Sequence, residues 1–415
     1  MKIVIVNQPM NNRGDESAHK ALVRALIKSV PSLQVSIIWV GANQNSIDQY
    51  NVGADNVKYV NLKPYRGFTM YTRIVLRYNL YLFWYLHPTV RKIIKYYKEA
   101  DWILSAPGGI CMGGFQNWRH LFFLKLAKFL KKDLVYYGRS FGPFPTETKS
   151  NRVFKRISIE MLNYCSFISI RDAKTEHLAD ELGIKYVPTI DTAFLDSPLV
   201  KLPTELRQQI GTKSYVVFVP NSLIWHYAFK NKLSENDVLS FYKGIFLKII
   251  SAYKDCNVIL LPQTFNNGNS MDDIRFFYSF KEYIADNRII VINDCYSSDI
   301  QQTIISNACC MIGARYHSIV FAINNSIPFV ALSYEHKISG LLEKLNKQEQ
   351  MVEISASTLK DDNRRSIIIE EFGLKLSCVA SDNGIKDKAK QIAEKCFHSL
   401  ASQLLKKQDY IQISC

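Results

Sequence analysis

Residues 310–323 read Cys310-Met311-Ile312-Gly313-Ala314-Arg315-Tyr316-His317-Ser318-Ile319-Val320-Phe321-Ala322-Ile323. A short apolar run, a Gly-Ala break and a second apolar run predict a buried strand, a turn and a helix that opens near His317. In a parallel α/β sheet that junction lies at the carboxyl edge of the strands, where ligands bind. The free N–H groups of a helix start favour an anion there. Arg315 adds a planar two-pronged donor for carboxylate or phosphate, and His317 exchanges protons near neutral pH. A triplet this short fits a plainer reading equally well, in which His317 caps its helix and Arg315 pairs with a surface acid.

The same pattern returns at Pro328-Phe329-Val330-Ala331-Leu332-Ser333-Tyr334-Glu335-His336-Lys337, a buried strand followed by a polar turn that opens a helix. Adjacent strand ends would bring Lys337 and Arg315 to one crevice, at which a second helix N-terminus adds positive potential. Three earlier strand-end loops have the same form: Pro107-Gly108-Gly109, Gly138-Arg139-Ser140-Phe141-Gly142-Pro143-Phe144, and Ser169-Ile170-Arg171-Asp172.

Further out, Val/Ile/Tyr-rich runs alternate with amphipathic stretches. Strands are predicted at 2–7, 35–40, 102–106, 134–137 and 167–170, and again at 215–219, 257–261, 289–292, 310–312 and 329–332. This alternation marks parallel βα units. The pattern lapses around 196–203 and then restarts, which divides the chain into residues 1–200 and 201–385, with a C-terminal helix at 386–415. After the first strand, Ala18, Ala21, Leu22, Ala25 and Leu26 have the spacing of one buried helix face. That helix is expected to begin just after Asn11-Asn12-Arg13-Gly14-Asp15-Glu16, with Gly14 relaxing the turn and Asp15 capping the helix or complementing its dipole.

Length and composition agree with two packed domains: 415 residues, 47% hydrophobic, 12% aromatic and only 21% charged. The net charge of +15 implies an anionic partner or a membrane face. The basic residues are scattered along helices, and no nucleic-acid-binding signature accompanies them, so phosphorylated small molecules or lipid phosphates fit better. The nine cysteines include no CxxC pair, which leaves zinc and redox motifs without support and suits a reducing cytoplasm. The N-terminus lacks the features of a signal peptide, and no window reaches the length of a spanning helix. The segment 68–98 interleaves Arg and Lys with Tyr, Phe and Trp, the composition of a helix lying in a membrane interface. A core helix pair with its basic residues in water has that composition too.

Taken together, these motifs resemble the polysaccharide pyruvyl transferase family. The resemblance rests on Asn12-Arg13-Gly14-Asp15-Glu16, the three strand-end loops above, Asp191-Thr192-Ala193-Phe194, Leu261-Pro262-Gln263-Thr264, Arg315-Tyr316-His317 and Ser333–Lys337, in that order over residues 1–345. Pro107-Gly108-Gly109 stands where the family often has three glycines, and Tyr316 where an aliphatic residue is frequent. The resemblance implies two Rossmann-like domains facing across a cleft, as in B-type glycosyltransferases; the C-terminal helix, beyond the reach of the resemblance, is expected to cross back to the first domain.

The chemistry so implied moves the enolpyruvyl group of phosphoenolpyruvate onto two sugar hydroxyls, forming a pyruvate ketal on a hexose such as galactose. The acceptor would be a capsular or undecaprenyl-pyrophosphate-linked repeat unit at the inner membrane face. His317 and Asp15 would be catalytic; Arg171, Arg315 and Lys337 would bind the donor; Asn12, Gly14 and Glu16 would bind the acceptor. Asp15 as a helix cap remains an equal reading. No metal site is expected, and phosphoenolpyruvate is a co-substrate rather than a cofactor. The competing reading is a nucleotide-sugar glycosyltransferase of the same fold, with Glu335 as the ribose-binding carboxylate.

Overall fold

The computed structural model of the chain describes residues 1–10, 12–265 and 272–413, with side chains described as far as Lys406. The chain forms two compact units. One comprises Met1–Met10, Asp15–Leu195 and Gln391–Cys415, the other Asn11–Gly14 and Asp196–Lys390.

The first unit is built on seven strands: β1 (Lys2–Val6), β2 (Gln34–Val40), β3 (Val57–Leu62), β4 (Trp102–Ser105), β5 (Asp133–Tyr136), β6 (Phe167–Ile170) and β7 (Val187–Pro188). They pair in the order β3-β2-β1-β4-β5-β6-β7, every pair parallel. Ile3 and Ile5 of β1 belong to one core cluster, Val4 and Val6 to the other. Helices thus cover both faces, which is why these strands read as continuous apolar runs rather than alternating ones. Each such side chain contributes about 1.5–3 kcal/mol on burial.

The second unit repeats the scheme with β8 (Tyr215–Val219), β9 (Asn257–Leu260), β10 (Ile289–Val291), β11 (Met311–Gly313), β12 (Phe329–Ser333) and β13 (Met351–Glu353), in the order β10-β9-β8-β11-β12-β13, all parallel. This is the doubly wound Rossmann order, with its switch point between β8 and β11. All ten strands expected from the sequence are present to within a residue at either end. The other three are β3, which alternates buried and exposed positions, and the short β7 and β13.

The first helix runs Arg13–Ser29, starting inside the motif rather than after it. Its cap is Asn12, whose Oδ1 accepts from Gly14 N at 2.9 Å. Asp15 therefore lies within the first turn, where a carboxylate complements the helix dipole instead of capping the end.

The basic aromatic segment forms a helix Phe68–Tyr78, a 3₁₀ turn Tyr81–Leu86 and a helix Pro88–Glu99. Trp84 does not face outward as an interfacial anchor would. It is fully buried, edge-on to Phe122 and Phe129 with ring centroids 5.5 and 5.3 Å away. Its neighbours do the reverse, with Leu82 77% and Leu86 68% exposed beside exposed Phe83 and Tyr85. Among the described residues no helix is long and apolar enough to cross a membrane.

The last helix, Asn383–Ile413, starts among residues of the second unit and from Gln391 onward belongs to the first. There Cys396, Phe397, Leu400 and Leu404 are buried in the same cluster as Ile3, Ile5 and Leu104. The eight cysteines among the described residues all carry free thiols.

Candidate active site

In the second unit, β11 ends at Gly313 and Arg315 is the N-cap residue of the helix Tyr316–Asn324. Gly313 is required by crowding, since a Cβ there would lie 2.0 Å from Ser318 Oγ, the hydroxyl that donates back to Arg315 O at 2.5 Å. This tight turn sets Arg315 and His317 at the helix start.

Arg315 does not pair with a surface acid. Its Nε donates to Oδ1 of Asp273 at 3.1 Å, its Nη2 bonds the same oxygen, and Asp273 is buried at 2% exposure. The other carboxylate oxygen of Asp273 accepts from Gln263 N and Thr264 N, both at 3.0 Å. Asp273 therefore joins the loop after β9 to the guanidinium after β11. Burial disfavours the Arg315 cation, but the adjoining Asp273 carboxylate outweighs it and holds the group firmly protonated. The indole of Trp225 lies 5.6 Å from the guanidinium carbon, and Trp225 Nε1 donates to Asn221 Oδ1 at 2.8 Å. Asn221 in turn donates to the Tyr334 hydroxyl at 2.9 Å. Burial pushes the Tyr334 phenol up and keeps it neutral.

His317 is buried, 8% exposed. Its ring lies directly on Gly14, where a Cβ would come within 1.8 Å of Cγ and Nδ1. The segment carrying Gly14 is held by the same loop after β9. Asn12 bridges to Thr264, Arg13 N donates to Gln263 O at 3.0 Å, and the Arg13 guanidinium lies 4.7 Å from the Phe265 ring.

Lys337 sits in the first turn of the helix His336–Leu345, which follows β12, the neighbour of β11. Its ammonium is 3.4 Å from Oε1 of Glu335, the N-cap residue of that helix. Asn12, Gly14, Arg315, His317 and Lys337 thus belong to one unit and are set around the carboxyl edge of one sheet.

The other three expected residues belong to the first unit. Asp15 is half-buried, whereas Glu16 is fully buried with its carboxylate 3.0 Å from Lys20 Nζ. Arg171 follows β6 and forms an ion pair with the buried carboxylate of Asp191. Beside it, Asp172 caps the helix Ala173–Glu181 and accepts from Ser140 Oγ at 2.5 Å. Burial raises the Asp172 carboxyl, but the hydrogen bonds from Ser140 and Thr175 outweigh that and hold it below the usual range.

Asp273, Asn221, Trp225 and Tyr334 form a polar and aromatic network around Arg315 that sequence reading missed. The available signal was Asp272-Asp273 before the helix Asp273–Ile284, a pair that reads as an ordinary helix start.

Comparison with known proteins bears on the family and the fold. The family model described as polysaccharide pyruvyl transferase matches residues 12–336. The amylovoran biosynthesis protein AmsJ of Erwinia amylovora is 24% identical over 388 residues, 86% of this chain and 89% of that protein. Among solved structures, the UDP-GlcNAc 2-epimerase of Methanocaldococcus jannaschii aligns over 95% of this chain and 100% of its own, with a TM-score of 0.56 and 13% identity. Arabidopsis thaliana UGT89C1 complexed with UDP aligns over 97% of this chain and 99% of its own, at 0.52 and 10%. Likeness at that level of identity shows the fold alone, a B-type glycosyltransferase architecture.

Proposed function

Because the chain belongs to the polysaccharide pyruvyl transferase family, a family of transferases in polysaccharide biosynthesis, we propose that it moves the enolpyruvyl group of phosphoenolpyruvate onto two hydroxyls of a hexose such as galactose. The observation that carries this reading is the Asp273–Arg315 pair at a helix start two residues before His317. It presents a fixed cation, backbone donors and a proton-exchanging group where a donor trianion would lie.

In this reaction His317 delivers a proton to the methylene carbon C3 while one sugar hydroxyl attacks C2. Loss of phosphate leaves an oxocarbenium centre, which the second hydroxyl attacks to close the ketal. Two hydroxyl protons are released: one replaces the proton that went to C3, and the other leaves as part of hydrogen phosphate. Arg315 and Lys337 neutralise the donor's carboxylate and phosphate as the leaving group gains charge. Asp273 is a positioning residue that orients the Arg315 fork. On the acceptor side we assign Asn12, Gly14 and Asp15, with Asp15 as the base for a hydroxyl. Glu16, through Lys20, steadies the helix start behind them.

We also propose that the acceptor is presented at an anionic membrane face. The exposed Leu82, Phe83, Tyr85 and Leu86 adjoin helices that carry exposed Arg73, Arg91 and Lys92, a pairing of apolar and basic surface suited to anionic headgroups.

The test is incubation of the protein with phosphoenolpyruvate and a panel of galactosides, following phosphate release and the mass of the glycan. Phosphate release coupled to ketal formation supports the reading. Glycosyl transfer from a nucleotide sugar, with phosphoenolpyruvate inert, overturns it.

A further inference from the structure

A second cavity, of about 290 Å³, lies within the first unit at the carboxyl ends of β1, β2, β4 and β5. It straddles the point where the strand order reverses between β1 and β4, the usual crevice for a ligand in such a sheet. None of the residues assigned above to donor, acceptor or catalysis lines it.

Two guanidinium groups stand on its wall. Arg139 is fully buried and donates to Ala106 O and Asn7 O, each at 2.8 Å, and to His120 Nδ1 at 3.0 Å. Arg119 donates to Val40 O and lies 5.6 Å from the Phe68 ring. Among the described residues neither has a carboxylate within 4 Å, whereas Arg171 and Arg315 each have one. A buried cation held only by neutral acceptors keeps its charge uncompensated, and that costs several kcal/mol. A bound anion removes the cost.

The neutral groups on the wall match such an anion. Arginine only donates, so His120 Nδ1 must accept and the ring proton sits on Nε2. Burial first, and then the Arg139 charge, push the His120 pKa far down and keep the ring in this neutral donor form. His120 Nε2, both amide atoms of Gln8 and Trp39 Nε1 are buried without a hydrogen-bond partner among the described residues. His120 is 2% and Gln8 8% exposed. Buried polar groups are ordinarily satisfied, so several unsatisfied ones around one cavity point to a ligand that satisfies them.

We infer that this cavity binds the carboxylate or phosphate of a small ligand, with Arg119, Arg139, His120 Nε2–H and the Gln8 amide as its donors. The inference rests on the first unit alone and stands apart from the donor chemistry assigned to the second. A volume near 290 Å³ suits a group the size of one sugar residue. The fitting class is therefore an acidic or phosphorylated sugar or a free phosphate, all sharing an oxyanion.

The experiment is calorimetric titration of the full chain with glucuronate, glucose 1-phosphate, inorganic phosphate and neutral glucose. At least one of the anions is expected to bind and glucose is not; the anion that binds identifies the source of the oxyanion. Arg119→Met and Gln8→Ala should each weaken that binding about 10- to 100-fold, the worth of a charge-assisted hydrogen bond. His317→Ala should not. Thermal midpoints measured alongside show whether each variant is folded, and Gln8→Ala removes no charge if Arg119→Met proves unstable. Binding of glucose as tight as that of the anions overturns the inference. So does anion binding that survives both substitutions in folded protein.

Discussion

The imidazole of His317 lies on the α-carbon of Gly14, close enough that a methyl group at position 14 would fall 1.8 Å from the ring. Gly14→Ala must therefore displace the imidazole without altering its chemistry. Turnover should fall toward that of His317→Ala, a loss of about 10²- to 10⁴-fold for an acid–base group. Steady-state phosphate release measures both variants. Near wild-type ketal formation by His317→Ala would remove its catalytic role.

Arg315→Lys keeps the charge and loses the two-pronged donor. It should raise the KM for phosphoenolpyruvate, and Asp273→Asn should raise it through Arg315. If the KM for the sugar rises instead, Arg315 serves the acceptor rather than the donor.

Flotation with anionic vesicles should recover the protein at low salt and release it at high salt, because surface attraction is screened within about 10 Å at 0.1 M. Each basic residue near the surface contributes about 1 kcal/mol. A Leu82→Asp, Leu86→Asp double variant should stay unbound yet fold normally, since both side chains are exposed. Trp84→Ala should act oppositely, lowering stability by about 3–5 kcal/mol through a core cavity. A wild-type protein that never floats assigns the segment to an ordinary solvent face.

His19 is wholly enclosed against Trp39 and Tyr50. Burial, aided by the Lys20 charge, lowers its pKa from 6.5 to about 3. The unfolded chain therefore binds a proton that the folded chain does not, so this contribution is complete above about pH 6.5 and is lost as pH falls toward 3. Between pH 7 and pH 5 it amounts to about 2 kcal/mol. Urea unfolding at the two pH values should show His19→Phe less acid-sensitive by that margin, and an equal slope would rule out the imidazole as its source.

The strands were legible because parallel strands covered on both faces are apolar throughout. Strand β3 was not, since Lys58 and Asn61 break its run where the edge of the sheet meets water. At the site, Arg315 and His317 could be read from a strand–turn–helix junction that is local in sequence. Asp273, 42 residues from Arg315, is indistinguishable in sequence from a helix-starting aspartate, and the Gly14–His317 contact joins residues some three hundred positions apart. Composition does not say which aromatic of segment 68–98 points inward, and in the fold it is Trp84 that does.

The helix Asn383–Ile413 places Phe397, Leu400 and Leu404 against strands synthesised well before it. Until the ribosome has released those residues, the N-terminal sheet has one apolar face incomplete, while the unit in the middle of the chain already has nearly all its residues. The N-terminal unit is therefore begun first and completed last. Its nascent form carries an open hydrophobic groove for the whole interval, and a stop codon just before Gln391 would leave that groove permanently unfilled.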